Sequence, residues 1–512
     1  MSTAKDDGWH HTSPLAAIFY LGKIYQAIAK NAVQSLAPLV AFLFASKGDL
    51  MGKIVIGATA FFLLTVAGAI LRYLFFRYRI TDDSVLIREG VFRKTQLDIK
   101  FDRVQAINTR QSFIFRAFGL VTIMLDTAGS GKQEGHIPAV KTAISDSLKE
   151  RIQRTAPARP EFDEAENDEG NASGHNGTSR RLLWLRARDI VRIGLSSNRA
   201  LIFLVFLGPL LEQLGNTVEE GIEEGIENGS LAASEVAQAG VAIGVGYVIM
   251  IVFAVMLFLV AASVIGAFLR YHRFELVSDN RVLRSTGGLL TRHEHSINLT
   301  KVQTVVVRQN IVLRLFRRFR LQARQASSGK AKASKSFIIP LCSADQLTDL
   351  AGEIFGEEYR GAVLDPAATD FLPVAIQYFR TRALLIGVLP AVALTLALAI
   401  PTGFYSLLFL LWIPAAGYVS WRQFKGYGIS IANDGLAVRR GFLGYQVSSF
   451  LHRKVQRISL TQTTLQRRKG LATLRFYLAS GSIKLPYVDF QKACQLRDYV
   501  LYRVESSQAA WH

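Results

Sequence analysis

The residues best placed to do chemistry in this chain are basic. One run holds Arg308, Arg314, Arg317, Arg318, Arg320 and Arg324, followed by Lys330, Lys332 and Lys335. On strands, alternate residues share a face, so about half of the run would present together. Each Lys or Arg near an anionic surface contributes about 1 kcal/mol. The chemistry implied is recognition of lipid headgroups or of an acidic partner. The plainer role, keeping a surface soluble on the positive side of a membrane, competes with it. Arg467, Arg468 and Lys469 form a smaller patch. A single-strand nucleic-acid site would need a platform of stacking aromatics within the basic groove, and nucleic acid is not an expected partner.

Other motifs fall short of a site. His293-Glu294-His295 places two histidines on one strand face, but further ligands at metal spacing are missing, and a solvated surface is the expected role. Gly129-Ser-Gly-Lys132 lacks the earlier glycine and the following Ser or Thr of a phosphate loop, and fits a hairpin turn. No Ser-His-Asp order and no carboxylate pair in an apolar setting is found. We therefore expect no catalytic residues, no bound metal and no cofactor. Cys342 and Cys494 stand far apart, which argues against a disulfide framework.

The elements that would carry these residues are membrane spans and small β modules. Half of the 512 residues are hydrophobic, a fifth are charged, and the formal net charge is +20. The mean hydropathy is +0.22. These values exclude a disordered chain and a purely soluble enzyme and point to a membrane protein with substantial soluble parts. Six spans in three hairpins are expected. Hairpin 1 occupies 15–76 (spans about 32–46 and 54–76). Hairpin 2 occupies 182–270 (spans about 199–215 and 241–269). Hairpin 3 occupies 370–422 (spans about 383–400 and 404–421). The first helix of each carries an interior proline, Pro38, Pro209 and Pro390.

Basic residues flank the hairpins, whereas the connection after Leu214 holds Glu219, Glu220, Glu223, Glu224, Glu227 and Glu235. By the positive-inside rule the hairpin tips face out and the soluble parts face the cytoplasm. The segment 156–181, rich in Asp, Glu, Asn, Gly and Ser, reads as a disordered acidic linker.

After each hairpin comes the same pattern. A basic residue, Val and Gln recur at Arg103-Val104-Gln105, Lys301-Val302-Gln303 and Lys454-Val455-Gln456. Fifteen residues before each Gln stands Gly90, Gly288 or Gly441. Six after it stands Gln111, Gln309 or Gln462, and eleven after it Arg116, Arg314 or Arg467. Such agreement without gaps marks a triplicated unit. Alternating runs such as Ile123-x-Leu125, with turn residues between runs and an amphipathic segment at the end, predict antiparallel strands closed by a helix. The modules occupy 77–155, 271–357 and 423–506. The repeated Gly, Gln and Arg are expected to be structural, because repetition within one chain marks the needs of the fold.

On these residues the chain resembles a known family. Tyr78 to Asp83, Gly90, Arg103-Val-Gln105, Gln111-Ser, Arg116, Gly119-Leu120 and Thr127-Ala-Gly129 resemble the type 2 bacterial pleckstrin-homology domain. Three such modules with membrane spans resemble the YdbT-like family. In the second copy Arg317-Arg318 replace Gly119-Leu120. The resemblance implies a mixed membrane-helical and β fold, each hairpin followed by packed antiparallel sheets with a C-terminal helix. It implies no established catalysis and carries over no ligand residue. The expected function is that of a non-enzymatic, multi-pass protein of the bacterial inner membrane. Its cytoplasmic modules would act as a tethered scaffold for protein partners or anionic lipids. A transporter or channel built from three repeated hairpins is the alternative; the scarcity of polar groups in the spans argues against it.

Overall fold

The computed structural model describes residues 8–30, 50–91, 93–127, 135–155, 180–197, 233–279, 282–326, 336–355 and 371–506. Four helices among them are long and apolar enough to cross a membrane: Val55–Leu74, Val252–Tyr271, Gln377–Pro401 and Gly403–Gly426. They coincide with the spans expected at 54–76, 241–269, 383–400 and 404–421. The spans expected at 32–46 and 199–215, with Pro38 and Pro209, lie outside the described residues. So do most of the linker (156–179) and the acidic connection up to Glu227. The described spans turn apolar side chains outward, Ile400 being 95 % exposed. An exposed apolar surface on helices of this length fits burial in lipid.

The third hairpin shows how its proline is accommodated. Proline lacks an amide hydrogen and clashes with the carbonyl four residues back. Ahead of Pro390 the helix widens to a π-helical stretch, Ala383–Val388. The carbonyl of Ile386, four residues before the proline, accepts the Trp412 indole N–H from the other helix at 2.8 Å. A freed backbone acceptor in lipid must find such a donor. Replacing Trp412 by phenylalanine is expected to destabilise the hairpin by about 1 kcal/mol. The check is a lowered midpoint in SDS-induced unfolding of the detergent-solubilised protein.

Each module is a pair of antiparallel layers, three-stranded in the first module and with a fourth strand added to the first layer of the other two. In the first, β1 (Arg77–Ile80), β2 (Ser84–Glu89) and β3 (Thr95–Lys100) form one layer, and β4 (Val104–Ser112), β5 (Leu120–Thr127) and β6 (Gly135–Lys141) the other. In the chain ahead of the second hairpin lies β7 (Arg180–Trp184); after it come β8 (Glu275–Asp279), β9 (Val282–Gly287) and β10 (Thr291–Asn298), then β11 (Val302–Gln309), β12 (Phe319–Gln325) and β13 (Ser336–Cys342). The third unit repeats this with β14 (Leu372–Pro373), β15 (Gly428–Ile431), β16 (Gly435–Arg440), β17 (Tyr445–Leu451), β18 (Val455–Thr461), β19 (Leu471–Leu478) and β20 (Gly481–Asp489). The strand ahead of each of the last two hairpins pairs with the first strand behind it, β7 with β8 and β14 with β15. In the first unit His10 and Tyr78 exchange the equivalent backbone bonds at 2.8 and 3.0 Å. Arg180 and Arg181, assigned from sequence to the linker, therefore begin a strand of the second module.

Each core lies between its two layers and under a C-terminal helix. Ile123, Leu321 and Leu474, one column of the repeat, are all fully buried. The closing helices Thr142–Thr155, Ala344–Phe355 and Phe490–Glu505 add Leu148, Leu347 and Val500 to the three cores.

The modules are not separate beads. The second layer of each runs straight into the first layer of the next. One seven-stranded sheet has the order β6-β5-β4-β10-β9-β8-β7, the other β13-β12-β11-β17-β16-β15-β14. Only the outermost layers, β1-β2-β3 and β18-β19-β20, remain three-stranded. Both joints use one register. The second repeated Gln faces the residue eleven before the next module's first Gln: Gln111 opposite Arg292, and Gln309 opposite Tyr445.

The repeated residues have visible local roles. Gly90 and Gly288 sit in the tight turns before β3 and β10 at φ +112° and +120°. A Cβ there would run into the carbonyl of Arg93 or Thr291, and at Gly441 into that of Gly444. Gln111, Gln309 and Gln462 each donate a side-chain hydrogen bond to the backbone carbonyl nine residues on, Leu120, Arg318 and Leu471, at 3.0, 3.2 and 2.8 Å. The residue after each, Ser112, Asn310 or Thr463, caps the short helix that follows. Where Gly119 and Gly470 adopt φ +62°, Arg317 adopts +50°. The second copy thus keeps the turn of the others despite its different sequence, at the strain cost of a non-glycine residue there.

Candidate anion-binding platform

The second joined sheet gathers part of the basic run into one row. Arg308 on β11 stands opposite Arg320 on β12. Across the joint it stands opposite Gln446 on β17, which in turn faces Arg440 on β16. Directly opposed residues share a face, so Arg320, Arg308, Gln446 and Arg440 form a line across four strands from two modules. Arg324 lies two residues along β12 from the pair-mate Gln322, whose Oε1 it approaches at 3.5 Å. Arg440 Nη2 donates to Gln446 Oε1 at 3.1 Å.

No carboxylate pairs with these four arginines among the described residues. Nε of Arg320 and of Arg324 is shielded from solvent and finds no partner there. Burial first, then the charges of Arg440 and Arg320, pulls the Arg308 guanidinium below its ordinary range. Burial, Arg308 and Arg440 do the same to Arg324. Like charges opposed across strands destabilise a sheet, and a bound anion relieves that cost.

The row sits at one end of the sheet. Arg440 is followed by the turn at Gly441, whose backbone packs against Gly426 at the end of the last membrane helix. Arg439 Nη2 reaches the Lys425 carbonyl at 3.4 Å. The platform thus adjoins the end of the hairpin.

Sequence proximity alone misgrouped the run. Arg314 sits in the last turn of the short helix Ile311–Leu315, and Arg317 and Arg318 in the turn after it, so none of the three joins the row on the strands. Arg314 instead stands over the Tyr445 ring at 5.3 Å. Arg467, Arg468 and Lys469 lie at the equivalent turn of the third module. Lys330, Lys332 and Lys335, and the Gly129-Ser-Gly-Lys132 turn, lie outside the described residues. Arg440 and Gln446 were not found from sequence, because only the joint brings them beside the run.

The first joined sheet carries Arg110 opposite His293 in the corresponding place. Burial, then Arg110, His295 and Arg270, push His293 down to about 4. The His293-Glu294-His295 strand forms a joint, where His293 and Glu294 are half-buried while His295 keeps the exposure expected. The two imidazoles stack at 6.1 Å on one face, and Glu294 on the other face binds Lys149 of the first module at 2.8 Å.

Known proteins match this architecture. The profile of the family described as Bacterial PH domain matches residues 18–156, 234–357 and 381–504, one match for each unit. The UPF0699 transmembrane protein YdbT of Bacillus subtilis (strain 168) is 22% identical over 437 residues, covering 84% of this chain and 85% of that one. The UPF0699 transmembrane protein YdbS of the same organism is 29% identical over 85 residues, 17% of this chain and 52% of its own. No solved structure gives a significant match.

Proposed function

Because the chain belongs to the Bacterial PH domain family and is a membrane protein, we propose that it is a non-catalytic scaffold whose joined modules bind phosphate-bearing lipid headgroups. The observation that carries this reading is the line of guanidinium groups without a carboxylate partner among the described residues, Arg320, Arg308 and Arg440 with Arg324 beside them, at the sheet end next to a membrane helix. The hairpins hold this line at the height of the headgroups, which raises its effective concentration for weak ligands. The cytoplasmic face of the inner membrane is the proposed location. Arg72, Arg270 and Lys425 close the described second helices of the hairpins, as the positive-inside rule requires of cytoplasmic ends.

The full-length protein in neutral detergent is titrated with short-chain phosphatidylglycerol. The expected result is saturable binding that weakens as salt is raised. With each arginine contributing about 1 kcal/mol, the Arg308→Ala, Arg320→Ala, Arg324→Ala, Arg440→Ala variant is expected to bind roughly 10²–10³-fold more weakly. Neutralising Arg467, Arg468 and Lys469 is expected to change little. Equal binding by the four-site variant and the parent would overturn the reading.

A further inference from the structure

Two sheet edges end the chain of modules. Among the described residues β3 pairs only with β2, and β18 only with β19. In each internal joint a β3-type strand is paired with a β4-type strand of the preceding module. Among the described residues one strand of each kind is therefore left uncovered, at opposite ends of the strand order. Unpaired strand edges are templates for further pairing.

The residues that cross the internal joints are present at both uncovered ends. The basic residue before the repeated Val reaches back to the preceding module. Lys301 Nζ donates to the Val104 carbonyl at 2.8 Å, and Lys454 Nζ to that of Thr300 at 3.0 Å. Lys454 is buried in doing so. Its counterpart Arg103 is exposed and has no hydrogen-bond or ion-pair partner among the described residues. The repeated Arg reaches forward. Arg116 Nη2 donates to the Leu289 carbonyl at 3.4 Å, and Arg314 covers Tyr445. Its counterpart Arg467 has no such neighbour among the described residues. Gln303 is buried beside a joint, whereas Gln456, at the same place on β18, is exposed. Ile458 is only partly buried, while its equivalents Ile107 and Val305 belong to the buried cores.

We propose that these ends are the two halves of a third joint, formed between copies: β18 of one chain pairs antiparallel with β3 of the next. The occupant is a second copy because each end lacks what the other end supplies, and because two joints of this kind, with one register, already exist within the chain. In that register Leu460 faces Gln96, Thr461 faces Thr95 and Ile458 faces Asp98. Arg103 of one copy reaches the backbone beside Val455 of the other. The interface is head-to-tail, so it extends into a ring or a row in the plane of the membrane. It does not depend on lipid binding at the arginine row.

Two full-length chains with different tags are co-expressed, each with Cys494→Ser; the remaining cysteine, Cys342, is buried. One chain carries Gln96→Cys and the other Leu460→Cys; a second set uses Thr95→Cys and Thr461→Cys. Adjacent opposed pairs alternate between closer and wider spacing, so one set has the closer geometry. Mild oxidation in native membranes is expected to give a disulfide joining the two tags in at least one set, and none for the off-register pair Gln96→Cys with Gln456→Cys. Arg103→Glu and Arg467→Glu are each expected to lower the yield several-fold at unchanged protein level. Absence of the mixed-tag product from both sets would overturn the proposal. So would equal yield off register, or a crosslink formed only within one doubly substituted chain or only to a different protein.

Discussion

Replacing Glu294 by alanine opens the joint between the first two modules, with an expected loss of about 3 kcal/mol of local stability. Glu294 lies on β10 opposite Thr109 of β4. Its carboxylate accepts from Thr109 Oγ1 at 3.0 Å and from Lys149 Nζ at 2.8 and 2.9 Å, and Arg284 Nε lies at 3.4 Å. The side chains of Lys149 and Glu294 are only 14% and 18% exposed, so removing the carboxylate leaves cations in a poorly solvated place. Hydrogen exchange across β4 and β10 is the measurement. The alanine variant should exchange much faster there and normally in β18–β20. Adding Lys149→Met should restore part of the protection, as removal of the stranded charge requires.

Acid acts on the same joint. Burial alone would raise the Glu294 carboxyl, but the charge and hydrogen bond of Lys149, the Thr109 bond and Arg284 hold it below the ordinary carboxylate range. His293 resists protonation down to about 4, against 6.5 when unfolded. Both groups bind protons more readily in the unfolded chain, so acid removes stability. The His293 contribution fades between pH 6.5 and about 4, and that of Glu294 below the ordinary carboxylate range.

The second large effect is expected at Gly288. Alanine there combines a φ of +120° with a Cβ driven into the Thr291 carbonyl. Strain of that kind costs ~1–3 kcal/mol before any clash is counted. The damage reaches the membrane. Gly288 N–H donates to the His272 carbonyl and Leu289 N–H to that of Leu269, both at 2.9 Å, and these bonds fasten the turn to the end of the second hairpin. Gly288→Ala is expected to lower the amount of intact protein in the membrane and to expose the β9–β10 turn to added protease. Gly266→Ala in the neighbouring membrane helix, where a Cβ meets nothing within 4 Å, is expected to do neither.

Much of this fold was readable from the sequence because its causes are local. A tight turn demands glycine at Gly90, Gly288 and Gly441 wherever the turn recurs, and a strand-to-helix corner uses Gln111, Gln309 and Gln462 alike. Apolar runs without charge announce membrane helices for the same reason. Pairing between modules is different. Alternation along β10 and β17 states that these residues are strands, but not which strand lies beside them. Glu294 looked like surface because its partner Lys149 belongs to another module. The short strands β7 and β14 lack the length to show a period. The arginine row was half legible: its β11 and β12 members lie close together in the chain, while Arg440 arrives only through the joint with the third module.

The continuity of the sheets sets a distance. Seven strands at about 4.8 Å apart make a ruler about 29 Å wide, and each joined sheet is one such ruler. The β strands next to the membrane helices are fixed divisions on it. Lateral movement of one hairpin away from the next must therefore bend or tear hydrogen-bonded backbone, because the modules meet strand to strand within the sheet. The spacing of the oily anchors is thus dictated by peptide geometry rather than by the fluid in which they float.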